Sequence, residues 1–231
     1  MTVNRKNIAV VLAGGTGSRL GGQKPKQFFE VKGKMVIEYA VTAFEINPLI
    51  DEIAIVSHPN HITEVQQIVE RNGWAKVKKI LPGGKERYHS TLSAIEAYQE
   101  EGVNLILHDA ARPLVSQRII TEVCQALIKN KACGVAIPTV DTILVCKDGI
   151  IQSAPDRSAL MRAQTPQAFH IEVIREAFAK GLKDPHFQAT DDCGILLRYM
   201  PEIPIRIVAG EESNLKVTYA DDLRLLELFL P

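Results

Sequence analysis

Apolar residues occur along this chain in two kinds of run. Short, nearly continuous runs rich in Val and Ile cover residues 8–13, 52–57, 77–81, 104–109 and 134–138. Between them, apolar positions recur every three or four residues at 35–45, 62–73, 90–101 and 119–129. The first kind predicts strands buried on both faces, and the second predicts amphipathic helices. Asn72-Gly73 is a stop signal for the second helix. Such regular alternation predicts parallel strands with helices on both sides of the sheet.

Residues 139–157 break the rhythm. Segments 142–147 and 150–154 flank Asp148-Gly149, a strong hairpin signal. Ile143, Val145, Ile150 and Ile151 are exposed on such a hairpin unless something covers them, and a second subunit is a natural cover. The α/β pattern then resumes. A helix is expected at 171–180, a capped helix after Thr190-Asp191-Asp192, a strand at 203–210 and a last helix after Ala220-Asp221-Asp222. There is no internal repeat, low-complexity tract or linker. The expectation is a doubly wound α/β fold with a mostly parallel sheet. Residues 1–231 form one domain in this reading, and 139–157 form a protruding β-hairpin arm that joins a homodimer.

Composition narrows the function. The 231 residues are 46% hydrophobic and 23% charged, which excludes wholesale disorder. Lys plus Arg and Asp plus Glu both number 27, so the net charge is zero. A general nucleic-acid or anionic-membrane binder needs a basic excess that this chain lacks. No apolar run approaches the roughly 18 residues of a membrane span. The opening apolar run flows into a glycine loop without a small-residue cleavage site, so a strand rather than a signal peptide is expected. Cys124, Cys133, Cys146 and Cys193 include no CxxC pair and sit among Val, Ile and Ala. They read as free thiols, and a reducing cytoplasm is the expected location.

The candidate chemistry starts at Ala13-Gly14-Gly15-Thr16-Gly17-Ser18-Arg19, directly after the first strand. Glycines there let backbone N–H groups approach a phosphate or a base. A P-loop is excluded, because no Lys-Ser/Thr follows the glycines. A dinucleotide fingerprint is excluded, because Leu20 stands where its third glycine belongs. Arg19, Lys24 and Lys26 fall within eight residues. Three cations beside a glycine loop suit a nucleoside triphosphate or a leaving pyrophosphate. A tight turn with solvated cations is the plainer alternative, and Pro25-Lys26-Gln27 in the same loop favours the nucleotide.

The run LAGGTGSRLGGQKPKQF resembles the signature loop of nucleotide-sugar pyrophosphorylases and related nucleotidyltransferases. GGKER at 83–87 with Ser90, HDAARP at 108–113, DT at 141–142, DR at 156–157, TPQAF at 165–169, TDD at 190–192 and NLKVT at 214–218 then follow in order. Each motif is weak alone. Together they resemble the cytidylyltransferases acting on 2-C-methyl-D-erythritol 4-phosphate or ribitol 5-phosphate, over nearly the whole chain. The resemblance implies that CTP and a polyol phosphate give a CDP-polyol and pyrophosphate, with Mg2+ as cofactor. HDAARP and TDD look closer to the methylerythritol-phosphate enzymes. The opening LAGG, the run after Arg87 and Cys193 look closer to the ribitol-phosphate enzymes. A sugar-1-phosphate nucleotidyltransferase and a non-enzymatic nucleotide-binding regulator are the more distant alternatives.

The resemblance also implies roles. Ala13, Gly14, Gly15, Thr16 and Gly17, with Gly83, Gly84, Arg87, Ser90, Asp109 and Ala110, would hold the nucleotide. Arg19, Lys26 and Lys216 would neutralise charge during transfer. Arg112, Asp141, Thr142, Arg157, Thr165, Thr190 and Asp191 would face the polyol phosphate, those of the arm in a neighbouring subunit. Asp109 would bind Mg2+. Its place at a strand end suits that ligand chemistry, and a capping role is the alternative. Thr190-Asp191-Asp192 reads equally well as an N-cap run. His108 reads as structural. The nucleophile is the substrate's own phosphate, so no catalytic Ser or Cys is needed.

Overall fold

The first strand of the fold alternates strictly. In β1 (Lys6–Ala13), Ile8, Val10 and Leu12 face one helical layer, while Ala9, Val11 and Ala13 face the other. The computed structural model describes residues 5–15 and 25–230. After β1 come β2 (Glu30–Val31), β3 (Lys34–Met35), α1 (Val36–Glu45), β4 (Glu52–Ser57), α2 (Ile62–Asn72), β5 (Val77–Pro82), α3 (Arg87–Ala97) and β6 (Val103–Asp109). Then follow α4 (Gln117–Lys129), β7 (Ala132–Pro138), β8 (Val145–Lys147), β9 (Ile150–Ser153) and β10 (Met161–His170). The chain ends with α5 (Ile171–Gly181), α6 (Asp192–Tyr199), β11 (Arg206–Ala209) and α7 (Ala220–Phe229).

Seven strands form one sheet in the order β11-β7-β10-β6-β1-β4-β5. The pairs β1–β4, β1–β6, β4–β5 and β7–β11 are parallel. One face packs against α1, α2 and α4, and the other against α3, α5 and α6. The sheet is mostly parallel and doubly wound, as expected from the alternation. The strands after β1 go first to one side, to β4 and β5, and then return to β6 on the other. Ligands of such sheets bind at the carboxyl ends of the strands, beside this reversal. No helix among the described residues is long and apolar enough to cross a membrane.

Local rules explain most boundaries. Gly73 ends α2 at φ 63°, a left-handed conformation that glycine adopts without strain. Asp148 and Gly149 have φ of 52° and 78°, and they turn the chain between β8 and β9. Those strands are shorter than the pattern suggested, and every residue in them is exposed. A second small hairpin, β2–β3, has no counterpart in the sequence reading. Its turn is Lys32-Gly33, also left-handed at both residues. The third major helix begins at Arg87 rather than Ser90, because Glu86 and His89 make a reciprocal cap ahead of it.

One strand of the main sheet was not expected at all. β10 runs antiparallel to both neighbours, β6 and β7, near the middle of the sheet. Its sequence, MRAQTPQAFH, carries Arg162, Gln164, Thr165, Pro166 and Gln167, a composition that argues against a central strand. The register shifts between Ala163 and Gln167, where the proline falls. Gln164, Thr165 and Gln167 are buried but hydrogen-bonded to 211, 108–109 and 191–193 respectively. The polar side chains of this strand therefore tie the sheet to loops around its edge.

His108 is the deepest of these ties. It is fully buried against the edge of Phe44. Its Nε2–H donates to the Arg112 carbonyl at 2.9 Å, so Nδ1 accepts from the Thr165 hydroxyl at 3.1 Å. The same hydroxyl oxygen accepts from the Asp109 N–H at 3.1 Å. Burial pushes the imidazole down to about 4, so the folded chain keeps it neutral. The unfolded chain protonates it below pH 6.5, so folding stability should fall as pH drops from about 6.5 to 4, by about 3 kcal/mol from this residue. Denaturant titrations across that range should show the loss, and His108→Gln should remove it. A parent slope that His108→Gln leaves unchanged would contradict this assignment.

Candidate active site

A cavity of about 420 Å³ opens at the carboxyl edge of β1 and β6. Gly14 and Gly15 end β1 on one side. Gly84, Lys85 and Glu86 come from the β5–α3 turn, and Arg87 and Ser90 from the first turn of α3. Asp109 ends β6 and Ala110 and Ala111 follow it, Lys26 and Gln27 come from the segment before β2, and Thr190, Lys216 and Thr218 complete the lining.

The glycines are demanded by crowding around one hydroxyl. A Cβ on Gly14 would lie 2.7 Å from Ser90 Oγ, and a Cβ on Gly83 would lie 2.8 Å from it. Ser90 is thus wedged between two glycine backbones at the base of the cavity. The Gly83 N–H is already engaged, donating to the Ser57 carbonyl at 2.7 Å. Gln27 holds the other wall. Its buried amide donates to the carbonyls of Ala13 at 2.7 Å and Gly15 at 3.0 Å. These bonds fix where the glycine loop leaves β1.

The electrostatic centre is Asp109. Its Oδ1 faces Arg87 Nε at 3.2 Å, and its Oδ2 faces Lys216 Nζ at 2.6 Å. Burial opposes ionisation here, but Arg87 and Lys216 outweigh it and hold the carboxyl well below the usual range. Arg87 in turn donates through Nη1 to Asp192 at 2.6 Å. Complete burial pushes the Asp192 carboxyl above its ordinary value, and the guanidinium opposes that push. Lys216 reaches Asp109 because its loop is docked. Val217 N–H donates to the Ala111 carbonyl at 2.8 Å, and Arg112 Nη1 donates to the Asn214 carbonyl at 2.7 Å.

Of the residues expected in the site, Gly14, Gly15, Lys26, Gly84, Arg87, Ser90, Asp109, Ala110, Thr190 and Lys216 line this cavity. Ala13 and Gly83 lie just behind the lining. Thr16, Gly17, Arg19 and Lys24 fall outside the described residues. Arg112 and Thr165 do not line the cavity; their polar groups bind the loops that carry Asp109 and Lys216. Asp191 is the N-cap of α6, with Oδ1 accepting from Gly194 N–H and Oδ2 from Gln167. Asp141, Thr142 and Arg157 lie on the exposed arm, where Arg157 donates to the Val140 carbonyl at 2.8 Å. Gln27, Lys85, Glu86, Thr218 and the buried Asp192 were not singled out from sequence. Gln27 and Asp192 each sat inside a quoted motif, but nothing in the motif marks which polar residue turns inward.

The donor set fits a divalent ion only in one way. Among the described residues there is no cluster of three or more His, Cys, Asp or Glu that could hold a metal. Among the described residues, the carboxylates lining the cavity are Asp109 and Glu86. Magnesium is commonly held by one or two carboxylates plus substrate phosphates, and that is the arrangement Asp109 permits.

A glycine-walled cavity, a ring of cations and one ionised carboxylate at a doubly wound sheet edge define a nucleotidyltransferase. The chain matches the family model of 2-C-methyl-D-erythritol 4-phosphate cytidylyltransferase (IspD) over residues 7–231, and it belongs to that family of CTP-dependent cytidylyltransferases. It is 46% identical over 229 residues to the 2-C-methyl-D-erythritol 4-phosphate cytidylyltransferase of Thermobifida fusca, covering 96% of this chain and 92% of that protein. It is 42% identical over 222 residues to the bifunctional ribulose 5-phosphate reductase/CDP-ribitol pyrophosphorylase Bcs1 of Haemophilus influenzae. That match covers 94% of this chain and 47% of the longer protein. Among solved structures, the 4-diphosphocytidyl-2C-methyl-D-erythritol synthase of Anaerococcus prevotii superimposes with a TM-score of 0.87 at 26% identity, covering 99% and 97% of the two chains.

The wedge around Ser90 makes a specific prediction. Gly83→Ala should displace the Ser90 hydroxyl and weaken CTP binding by about tenfold or more, while the thermal unfolding transition stays cooperative. Calorimetric titration with CTP checks it. Parental affinity in a folded Gly83→Ala chain would show that the wedge does not shape the nucleotide site.

Proposed function

We propose that this enzyme transfers CMP from CTP to 2-C-methyl-D-erythritol 4-phosphate, releasing pyrophosphate. The observation that carries the chemistry is Asp109 held between Arg87 and Lys216 at the cavity. The observation that favours this acceptor is the greater identity to the Thermobifida fusca protein, over nearly the full length of both chains. The Haemophilus influenzae match, at 42%, supports ribitol 5-phosphate as the second reading.

The acceptor phosphate has a second pKa of about 6, so at neutral pH it is largely dianionic and already a nucleophile. The obstacle is repulsion between two anions and the charge that gathers on the α-phosphate. Lys26 and Lys216 both line the cavity and can offset that charge while the reactants are held in line. Arg19 is assigned the same task on the loop beyond Gly15. We assign to Lys216 a move from Asp109 toward the phosphates, which would leave Asp109 Oδ2 open to hold a divalent ion. When bound, Mg2+ supplies Lewis-acid stabilisation of the triphosphate charge. Gly14, Gly84 and Ser90 line the wall assigned to the pyrimidine, with Gly83 packed behind Ser90. No protein base is required, and His108 stays in its structural role.

The arm completes the reading. Val140, Ile143, Leu144, Val145, Ile150, Ile151 and Met161 are all exposed large apolar side chains. An isolated two-stranded hairpin is marginal in water. We assign the arm to a homodimer contact that carries Asp141, Thr142 and Arg157 to the acceptor phosphate of the neighbouring subunit. Arg suits that task through its two-pronged donation to phosphate oxygens. The four free cysteines support a reducing cytoplasm as the working location.

Pyrophosphate release measured with CTP and each acceptor side by side tests the substrate. Faster turnover with ribitol 5-phosphate than with methylerythritol phosphate would replace the first reading by the second. Comparable turnover with GTP would remove the cytosine assignment. Lys26→Ala should lower turnover by roughly 100-fold or more without unfolding the chain; unchanged turnover would reduce the loop to a structural turn. Mixing inactive Lys26→Ala and Arg157→Ala chains should restore part of the activity, because each heterodimer holds one intact site. Mixed dimers that form and stay inactive would confine Arg157 to its own subunit.

A further inference from the structure

Asp192 lies one residue past the cap of α6 and is fully buried. A carboxylate in that position needs a complete set of partners. Its Oδ2 accepts from Arg87 Nη1 at 2.6 Å, and its Oδ1 accepts from the Thr91 hydroxyl at 2.8 Å. Its own N–H donates to Gln167 Oε1 on β10 at 3.0 Å. Arg87 and Thr91 are four residues apart on α3, so one face of that helix supplies both donors.

The consequence reaches the cavity through Arg87. The guanidinium is shared between two carboxylates: 2.6 Å to buried Asp192, and 3.2 Å to Asp109 at the cavity. Its Nη2 is buried with no hydrogen-bond partner, so a further donor is close at hand. If the Asp192 charge were absent, the natural geometry for Arg87 would be a two-pronged pair with Asp109, with Nη2 competing for the Oδ2 that now faces Lys216. We infer that Asp192 is a positioning residue of the nucleotide site: it holds Arg87 back from Asp109, which stays only partly neutralised and able to receive a divalent ion arriving with the triphosphate. This inference rests on the reading of the cavity as the CTP site.

Two opposite effects follow from removing the charge. Asp109 becomes more fully neutralised, so metal should contribute less. The site as a whole becomes more positive, so metal-free CTP should bind at least as well. The experiment is calorimetric titration of the full chain with CTP, once with Mg2+ and once with EDTA. In Asp192→Asn, the gain in CTP affinity on adding Mg2+ should shrink by about tenfold, while affinity in EDTA stays equal or rises. Thr91→Val removes a neutral partner, so it should lower the melting temperature and leave the Mg2+ gain as in the parent. Asp192→Glu keeps the charge and should also keep the parental gain. A folded Asp192→Asn chain with the parental Mg2+ gain overturns the inference. So does a Thr91→Val chain with the same shrinkage, which would mark a general packing effect. If Asp192→Asn fails to fold, a shrunken gain in folded Asp192→Glu overturns it instead. Absence of any CTP binding by the parent overturns the functional reading and this inference together.

Discussion

A single buried carboxylate organises the functional end of this molecule. Asp109 stands at the end of β6 with 7% of its surface exposed, and its charge survives because Arg87 and Lys216 flank it. These three residues come from β6, α3 and the loop before α7, so the site exists only when distant parts of the chain have docked. An ion pair of this burial does little for net stability, because desolvation offsets much of the attraction. What it provides is preorganisation: the pair holds Arg87 and Lys216 at the cavity, where the proposed function places a polyphosphate.

The scaffold behind Asp109 is built mostly of neutral hydrogen bonds. Thr165 on β10 accepts from the Asp109 N–H and donates to His108, which donates to the carbonyl of Arg112. Asn214 receives Arg112 and donates to the Thr165 carbonyl at 2.9 Å, closing the circuit onto the loop of Lys216. The antiparallel strand β10 is therefore more than a sheet filler. It brings Thr165 and Gln167 under the site, where one supports Asp109 and the other supports the start of α6.

Most of the sheet was legible because its strands are almost purely apolar. Residues 52–57 were read with the bounds that the structure shows, and Asp148-Gly149 marked the arm turn. β10 was illegible for the opposite reason. Its inward-facing polar groups serve loops that only the folded chain brings near, and Pro166 argues locally against a strand. The Lys32-Gly33 turn escaped because lysine carries no turn signal of the Asn or Asp kind. In the site, the glycine loop and the Lys216 motif were readable as charge beside glycine. The division of labour among neighbours was not. Asp191 caps a helix while Asp192, one residue on, turns inward to Arg87, and the periodicity of the sequence treats the two alike. Arg112 likewise reads in sequence only as a phosphate ligand, whereas in the fold its Nη1 and Nη2 also brace the carbonyls of Asn214 and Ala163.

The proposed function turns on an exchange of partners at Asp109, which a structure with nucleotide tests directly. A crystal structure of the chain with CTP and Mg2+ would measure the separation of Lys216 Nζ from Asp109 Oδ2, which is 2.6 Å in the structure described above. The arrangement described above predicts that this pair parts, with Lys216 on a phosphate oxygen and Asp109 facing the metal. Nucleotide bound in the cavity with the Asp109–Lys216 pair still closed would contradict it.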